Sequence, residues 1–105
     1  MVDLLSEEGH RVEVTQRGSE AIQKILSKKF KAVILGMDIE GMSGVEVISI
    51  INKIDKNLPI ITIATDDSLE AERRVRGEKI FYYFIKPING KEMRAVVRDA
   101  IRKKR

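Results

Sequence analysis

Three short apolar runs, Ala32 to Leu35, Ile60 to Ala64 and Ile80 to Ile85, are separated by stretches whose apolar residues recur every three or four positions. No other feature limits the possible folds as strongly. A short apolar run bounded by Gly, Pro or polar residues reads as a strand buried on both faces, and helical spacing between such runs supplies the connections. The expected architecture is α/β: parallel strands joined by right-handed crossovers, with helices on both faces of the sheet. A chain of 105 residues has room for one such domain, spanning 1–105, and not for two.

The punctuation is consistent with this plan. Gly36 ends the first run, Pro59 fixes the entry to the second, and Lys86-Pro87 closes the third because Pro cannot donate to a ladder. Ser19 is placed to cap a helix carrying Ala21, Ile22, Ile25 and Leu26 on one face. Val47, Ile48, Ile51 and Ile54 mark a second helix after Gly41 and Gly44. Asp67 with Glu70 forms a capping-box pattern for a third that ends near Gly77; Leu69, Ala71 and Val75 give it little anchorage, so it is expected to be loosely held. Asn89 with Glu92 opens a last helix with Met93, Val96, Val97, Ala100 and Ile101 on one stripe. Arg11 to Thr15 alternates like an edge strand. At the start, Val2, Leu4 and Leu5 before Gly9 read as the last turns of a helix with a glycine stop.

Composition mainly removes possibilities. There is no Cys, hence no disulfide, thiolate metal site or cysteine nucleophile, and a reducing, cytoplasmic setting is expected. No apolar run approaches the roughly 18 residues of a membrane span, and the acidic start does not resemble a secretory signal. The net charge of +4 equals that of Arg102 to Arg105 alone, so the rest of the chain balances. A basic helix end is the favoured reading of that tail, and a nucleic-acid accessory role is the lesser alternative. No phosphate-cradling Gly loop, metal-ligand spacing or nucleophile–base pair is present, and His10 stands alone; no enzyme is expected.

The ends of the three runs carry a resemblance. Lys31-Ala32-Val33-Ile34-Leu35-Gly36-Met37-Asp38-Ile39-Glu40-Gly41-Met42-Ser43-Gly44 is similar to the signature of receiver domains of two-component response regulators, in which a buried strand ends in the phospho-accepting Asp. Leu58 to Thr65 resembles the strand ending in the family's Thr or Ser switch residue, and Tyr83-Phe84-Ile85-Lys86-Pro87 its last strand. Glu8-Gly9-His10-Arg11-Val12 and Gly18-Ser19-Glu20-Ala21 fit the same pattern, so the resemblance covers essentially the whole chain. It implies a flavodoxin-like three-layer fold.

The departures carry most of the functional meaning. Aligned on Gly41-Met42-Ser43-Gly44, the phospho-acceptor position falls on Gly36, which has no side chain. The turn Pro becomes Glu40, the switch position falls on Ala64 with a hydroxyl one residue later at Thr65, and Tyr83 and Lys86 stand at the aromatic and phosphate-side positions. The resemblance also implies an opening strand, lying between the second and third and ending in two acids that bind Mg²⁺. This sequence starts after it, so about four strands and no cofactor are expected. Asp38 lies two residues beyond Gly36, displaced by roughly 7 Å along an extended backbone. It is the alternative acceptor, with Mg²⁺, should the chain be a clipped phospho-receiver. Asp66 and Asp67 read as turn and capping residues.

The resulting expectation is a degenerate receiver, a phosphorylation-independent interaction module in two-component phosphorelay signalling. The resemblance places its partner on the surface from Ser68 to Lys103. A strand at Ala32 to Leu35 needs a neighbour on each side. Its uncovered edge is expected to draw in Arg11 to Thr15, giving family order 2-3-4-5, or a second copy of the chain as a homo-oligomer.

Overall fold

The computed structural model describes residues 2–6, 12–37, 41–65 and 69–103. In chain order the elements are β1 (Val2–Ser6), β2 (Val12–Thr15), α1 (Gly18–Ser27), β3 (Phe30–Gly36), α2 (Gly44–Ile54), β4 (Ile60–Ala64), α3 (Leu69–Arg76), β5 (Tyr82–Ile85) and α4 (Gly90–Lys103). One sheet of five strands has the order β2-β1-β3-β4-β5. β3 pairs parallel with β4, and β4 with β5. The flavodoxin-like α/β architecture is therefore present.

The start of the chain corrects the sequence reading. Val2, Leu4 and Leu5 belong to a strand, not a helix end, while Gly9 lies outside the described residues. β1 sits between β2 and β3 and runs antiparallel to both, Asp3 pairing with Val14 on one side and Ile34 on the other. The sheet thus has five strands where about four were expected. The place beside β3 that the resemblance gives to an opening strand is taken by β1, running antiparallel to β3. A buried strand such as β3 has backbone groups on both sides that must be paired, and β1 satisfies the side facing away from β4. The edge on which self-association was expected is covered, and β2 remains at the outer edge instead of moving beside β3.

Side chains divide by parity between the two faces. Val2 and Leu4 join Val33, Leu35 and Ile60 in a cluster with Ala21 and Ile25 of α1 and Val47, Ile48 and Ile51 of α2. Ala32, Ile61 and Phe84 form the opposite cluster, closed by Val96 and Ala100 of α4. None of Val2, Asp3, Leu4, Glu13, Val14 and Thr15 enters that second cluster. Val14 of β2 is 52% exposed.

Helix starts match the sequence signals unevenly. Ser43 caps α2, its Oγ accepting from Glu46 N at 3.1 Å. Asn89 Oδ1 accepts from Lys91 N at 2.9 Å and Glu92 N at 3.2 Å, but Glu92 does not close a capping box; its carboxylate accepts from the Tyr82 hydroxyl at 2.8 Å. That bond holds the phenol's proton and raises its pKa. Ser19 is not a cap, because α1 begins at Gly18 with Arg17 in the cap position. The turn before it is organised by Thr15, whose hydroxyl donates to Glu20 Oε2 at 2.7 Å and accepts from Arg17 N at 3.3 Å. α3 is short, eight residues, and its buried described residue is Val75; Asp67 lies outside the described residues.

Candidate functional site

Strand ends are where a parallel sheet offers backbone groups and loops to a ligand. The ends of β3, β4 and β5 surround a small cleft of about 200 Å³, lined by Asp3, Ile34, Gly36, Ile63, Thr65 and Lys86 together with Met37. The ladder fixes these positions. Gly36 is in register with Ile63, Met37 N donates to Ile63 O at 2.9 Å, and Lys86 N donates to Ala64 O at 2.9 Å. The Lys86–Pro87 peptide is cis. Behind the cleft, Met37 packs against the start of α2 so tightly that a Cβ on Gly44 would stand 2.5 Å from its Cε. A side chain at 44 would force Met37 to shift, and Gly41 takes a left-handed conformation at φ +86°.

The structure brings three of the sequence-predicted residues together: Gly36, Thr65 and Lys86. Ala64 is buried and does not line the cleft, so the hydroxyl on this side comes from Thr65. Tyr83 is not in the cleft either. It packs on the α1–α2 side of the sheet, with the Arg76 guanidinium 5.8 Å from its ring centroid. Asp38, Glu40, Asp66 and Asp67 lie outside the described residues.

Sequence reasoning missed Asp3. Parity puts Val2 and Leu4 into the α1–α2 core, which turns Asp3 to the other face, beside Ile34 and one pleat from Gly36. Its Oδ1 is shielded from solvent with no hydrogen-bond partner among the described residues, and burial raises its carboxyl pKa from the ordinary value. The signal was present in the apolar–acid–apolar alternation of Val2-Asp3-Leu4. Over so few residues, however, strand and helix periods cannot be separated.

Among the described residues, the cleft is lined by one carboxyl group, one hydroxyl and one ammonium beside a glycine. A hard divalent cation takes several oxygen ligands, usually more than one carboxylate. Among the described residues no group of three or more His, Cys, Asp or Glu is placed to hold a metal ion. The described residues therefore do not fit the Mg²⁺ that receivers bind, and no step is derived through it.

Comparison with known proteins agrees with this geometry. The response regulator receiver domain family model matches residues 1–98. The chain is 30% identical over 100 residues to the uncharacterized transcriptional regulatory protein YkoG of Bacillus subtilis, covering 93% of this chain but 43% of that protein. It is 25% identical over 101 residues to sporulation initiation phosphotransferase F of the same organism, covering 96% of this chain and 78% of the relative. Among solved structures, a CheY-like receiver domain protein from Methanospirillum hungatei superposes with a TM-score of 0.84 at 21% identity, over 92% of this chain and 78% of the other. The receiver domain of sensor histidine kinase PA1611 from Pseudomonas aeruginosa, solved with magnesium in its active-site cleft, gives 0.80 at 17% identity, over 89% and 78%. The match along nearly the whole sequence and the strand ends gathered around Gly36, Thr65 and Lys86 lead to one assignment: the chain belongs to the response regulator receiver domain family.

Proposed function

We propose that this chain is a receiver-family signalling module that engages its partner without taking a phosphoryl group at the family's acceptor position. One observation carries the reading: the residue at the end of β3, in the middle of the cleft, is Gly36. Phosphoryl transfer to a receiver needs a carboxylate oxygen there, a bridging cation and a lysine to balance charge. Of these, Lys86 is in place. Asp3 contributes a carboxyl from the neighbouring strand, one pleat away and partly shielded.

The partner surface is that of α3, β5 and α4. Residues 68–103 contain ten Lys or Arg against five Asp or Glu, whereas residues 1–67 carry more acid than base. Arg73, Arg74, Arg76, Lys91, Arg94 and Arg98 on this side are exposed. A partner presenting acidic groups fits such a face, since complementary charge speeds encounter and fixes orientation. No described helix is long and apolar enough to cross a membrane, and the proposed setting is cytoplasmic two-component signalling.

The test is intact-mass measurement after incubation with acetyl phosphate and Mg²⁺, alongside an active receiver as positive control. The reading predicts no phosphoryl adduct. A stable adduct on Asp38 would restore the phospho-receiver alternative, and one on Asp3 would show that the antiparallel strand had supplied a new acceptor.

A further inference from the structure

At the opposite end of the sheet, away from the family's cleft, the loops entering β4 and β5 and the last turn of α4 enclose a second pocket of about 330 Å³. That lies in the size range of small-molecule sites. Leu58, Ile80 and Phe81 give it apolar surface, and Lys56, Lys79 and Lys103 line it from three separate segments. No Asp or Glu is among the described residues lining it.

Two of the cations have described contacts. Lys79 Nζ donates to Lys56 O at 2.7 Å, and Asn52 Nδ2 donates to Lys79 O at 3.0 Å, which ties the two loops to each other and to α2. Lys103 Nζ lies 5.8 Å from the centroid of the Phe81 ring, at the carboxyl end of α4. An aromatic face, an aliphatic wall and three ammonium groups without a carboxylate form a site complementary to a flat apolar body bearing one anionic group. Lysines act as mobile point charges and set no bidentate geometry, so either a carboxylate or a phosphate monoester serves.

We propose that this pocket binds a small aromatic anion, an aryl carboxylate or aryl phosphate. The ring stacks along Phe81 and Leu58 while the anion sits among Lys56, Lys79 and Lys103. The site is separate from the Gly36 cleft and does not depend on whether that cleft is phosphorylated.

The experiment is an amide NMR titration of the full chain with naphthoate, naphthyl phosphate, the neutral naphthamide and inorganic phosphate in separate arms. The expected result is saturable shifts confined to residues 56–60, 79–81 and the end of α4 with one or both aromatic anions, and none with naphthamide or inorganic phosphate. Whichever aromatic anion binds identifies the acidic group the site takes. Lys103→Gln and Lys56→Gln should each weaken binding about threefold to fivefold, as loss of one exposed charge contact does. Lys53→Gln, on the exposed side of α2, should leave it unchanged. Equal binding of naphthamide, equal binding of inorganic phosphate, shifts scattered over all surface lysines, or no saturation by any arm would each overturn the proposal.

Discussion

β3 and β4 run parallel with α2 packed beside them, and both faces of these strands are covered, by α1 and α2 on one side and α4 on the other. β1 and β2 form an antiparallel pair whose Val2, Leu4 and Thr15 are buried on one face, with Val14 exposed on the other. The two halves meet the same demand by different means. Backbone groups along β3 need partners on both sides, and a ladder satisfies them whichever way the neighbouring strand runs. Direction matters elsewhere, since it decides which side chains reach the functional end of the sheet. A parallel strand in that slot would deliver its last residues to the cleft. The reversed β1 delivers Asp3, from near its beginning.

The sharpest way to break the comparison is to empty matched core positions on either side of it. Leu4 in β1 and Leu35 in β3 are both fully buried in the same cluster. Leu4→Ala and Leu35→Ala should each cost about 2–5 kcal/mol in urea denaturation. A cost below about 1 kcal/mol for Leu4→Ala alone would mean that the hairpin is an attachment and not part of the core.

A smaller effect separates the helices. Ser43→Ala, which removes the cap of α2, should lower stability by about 1 kcal/mol by the same measurement. Ser19→Ala should change it by less than about 0.5 kcal/mol, because Ser19 lies inside α1 and exposed.

The smallest effect is electrostatic and has a defined sign. Burial raises the folded-state pKa of Asp3 above its unfolded value, so the folded chain keeps this proton to higher pH. Stability should then fall as pH rises through the interval between the two values, and ionised Asp3 weighs against the fold at neutral pH. Asp3→Asn should therefore stabilise the protein at neutral pH, by less than about 1 kcal/mol for a group only partly buried, and the gain should vanish at pH values below the carboxylate range. A loss of stability at neutral pH would show that the carboxylate has a cationic partner in solution.

The parallel half of the molecule was legible in the sequence because its signals are redundant. β3, β4 and α2 combine a β-branched run or a clear helical stripe with Gly, Pro and Ser boundaries, and Val47, Ile48 and Ile51 are buried as their spacing implied. The hairpin was only half legible: the alternation of Arg11 to Thr15 marked an edge strand, and Val12–Thr15 is β2 at the outer edge, whereas β1 was misread. Val2 to Leu5 is too short for its period to be decided, and although the open edge beside β3 was foreseen, nothing local in the sequence says that residues 2–6 fill it. The candidate site divides along the same line. Gly36, Thr65 and Lys86, singled out by motif position, line the cleft; Ala64 and Tyr83, singled out as switch and phosphate-side positions, do not line it; and Asp3 was missed because its place follows from tertiary pairing.

Cross-strand nuclear Overhauser contacts test the account most directly. If β1 is antiparallel, a subset of its pairs with β3, among Val2 with Leu35, Asp3 with Ile34 and Leu4 with Val33, should show the short Hα–Hα contacts of non-hydrogen-bonded antiparallel pairs. Sequential amide contacts typical of a helix over residues 2–5, or a parallel register against β3, would contradict it. Either result would remove Asp3 from the cleft beside Gly36.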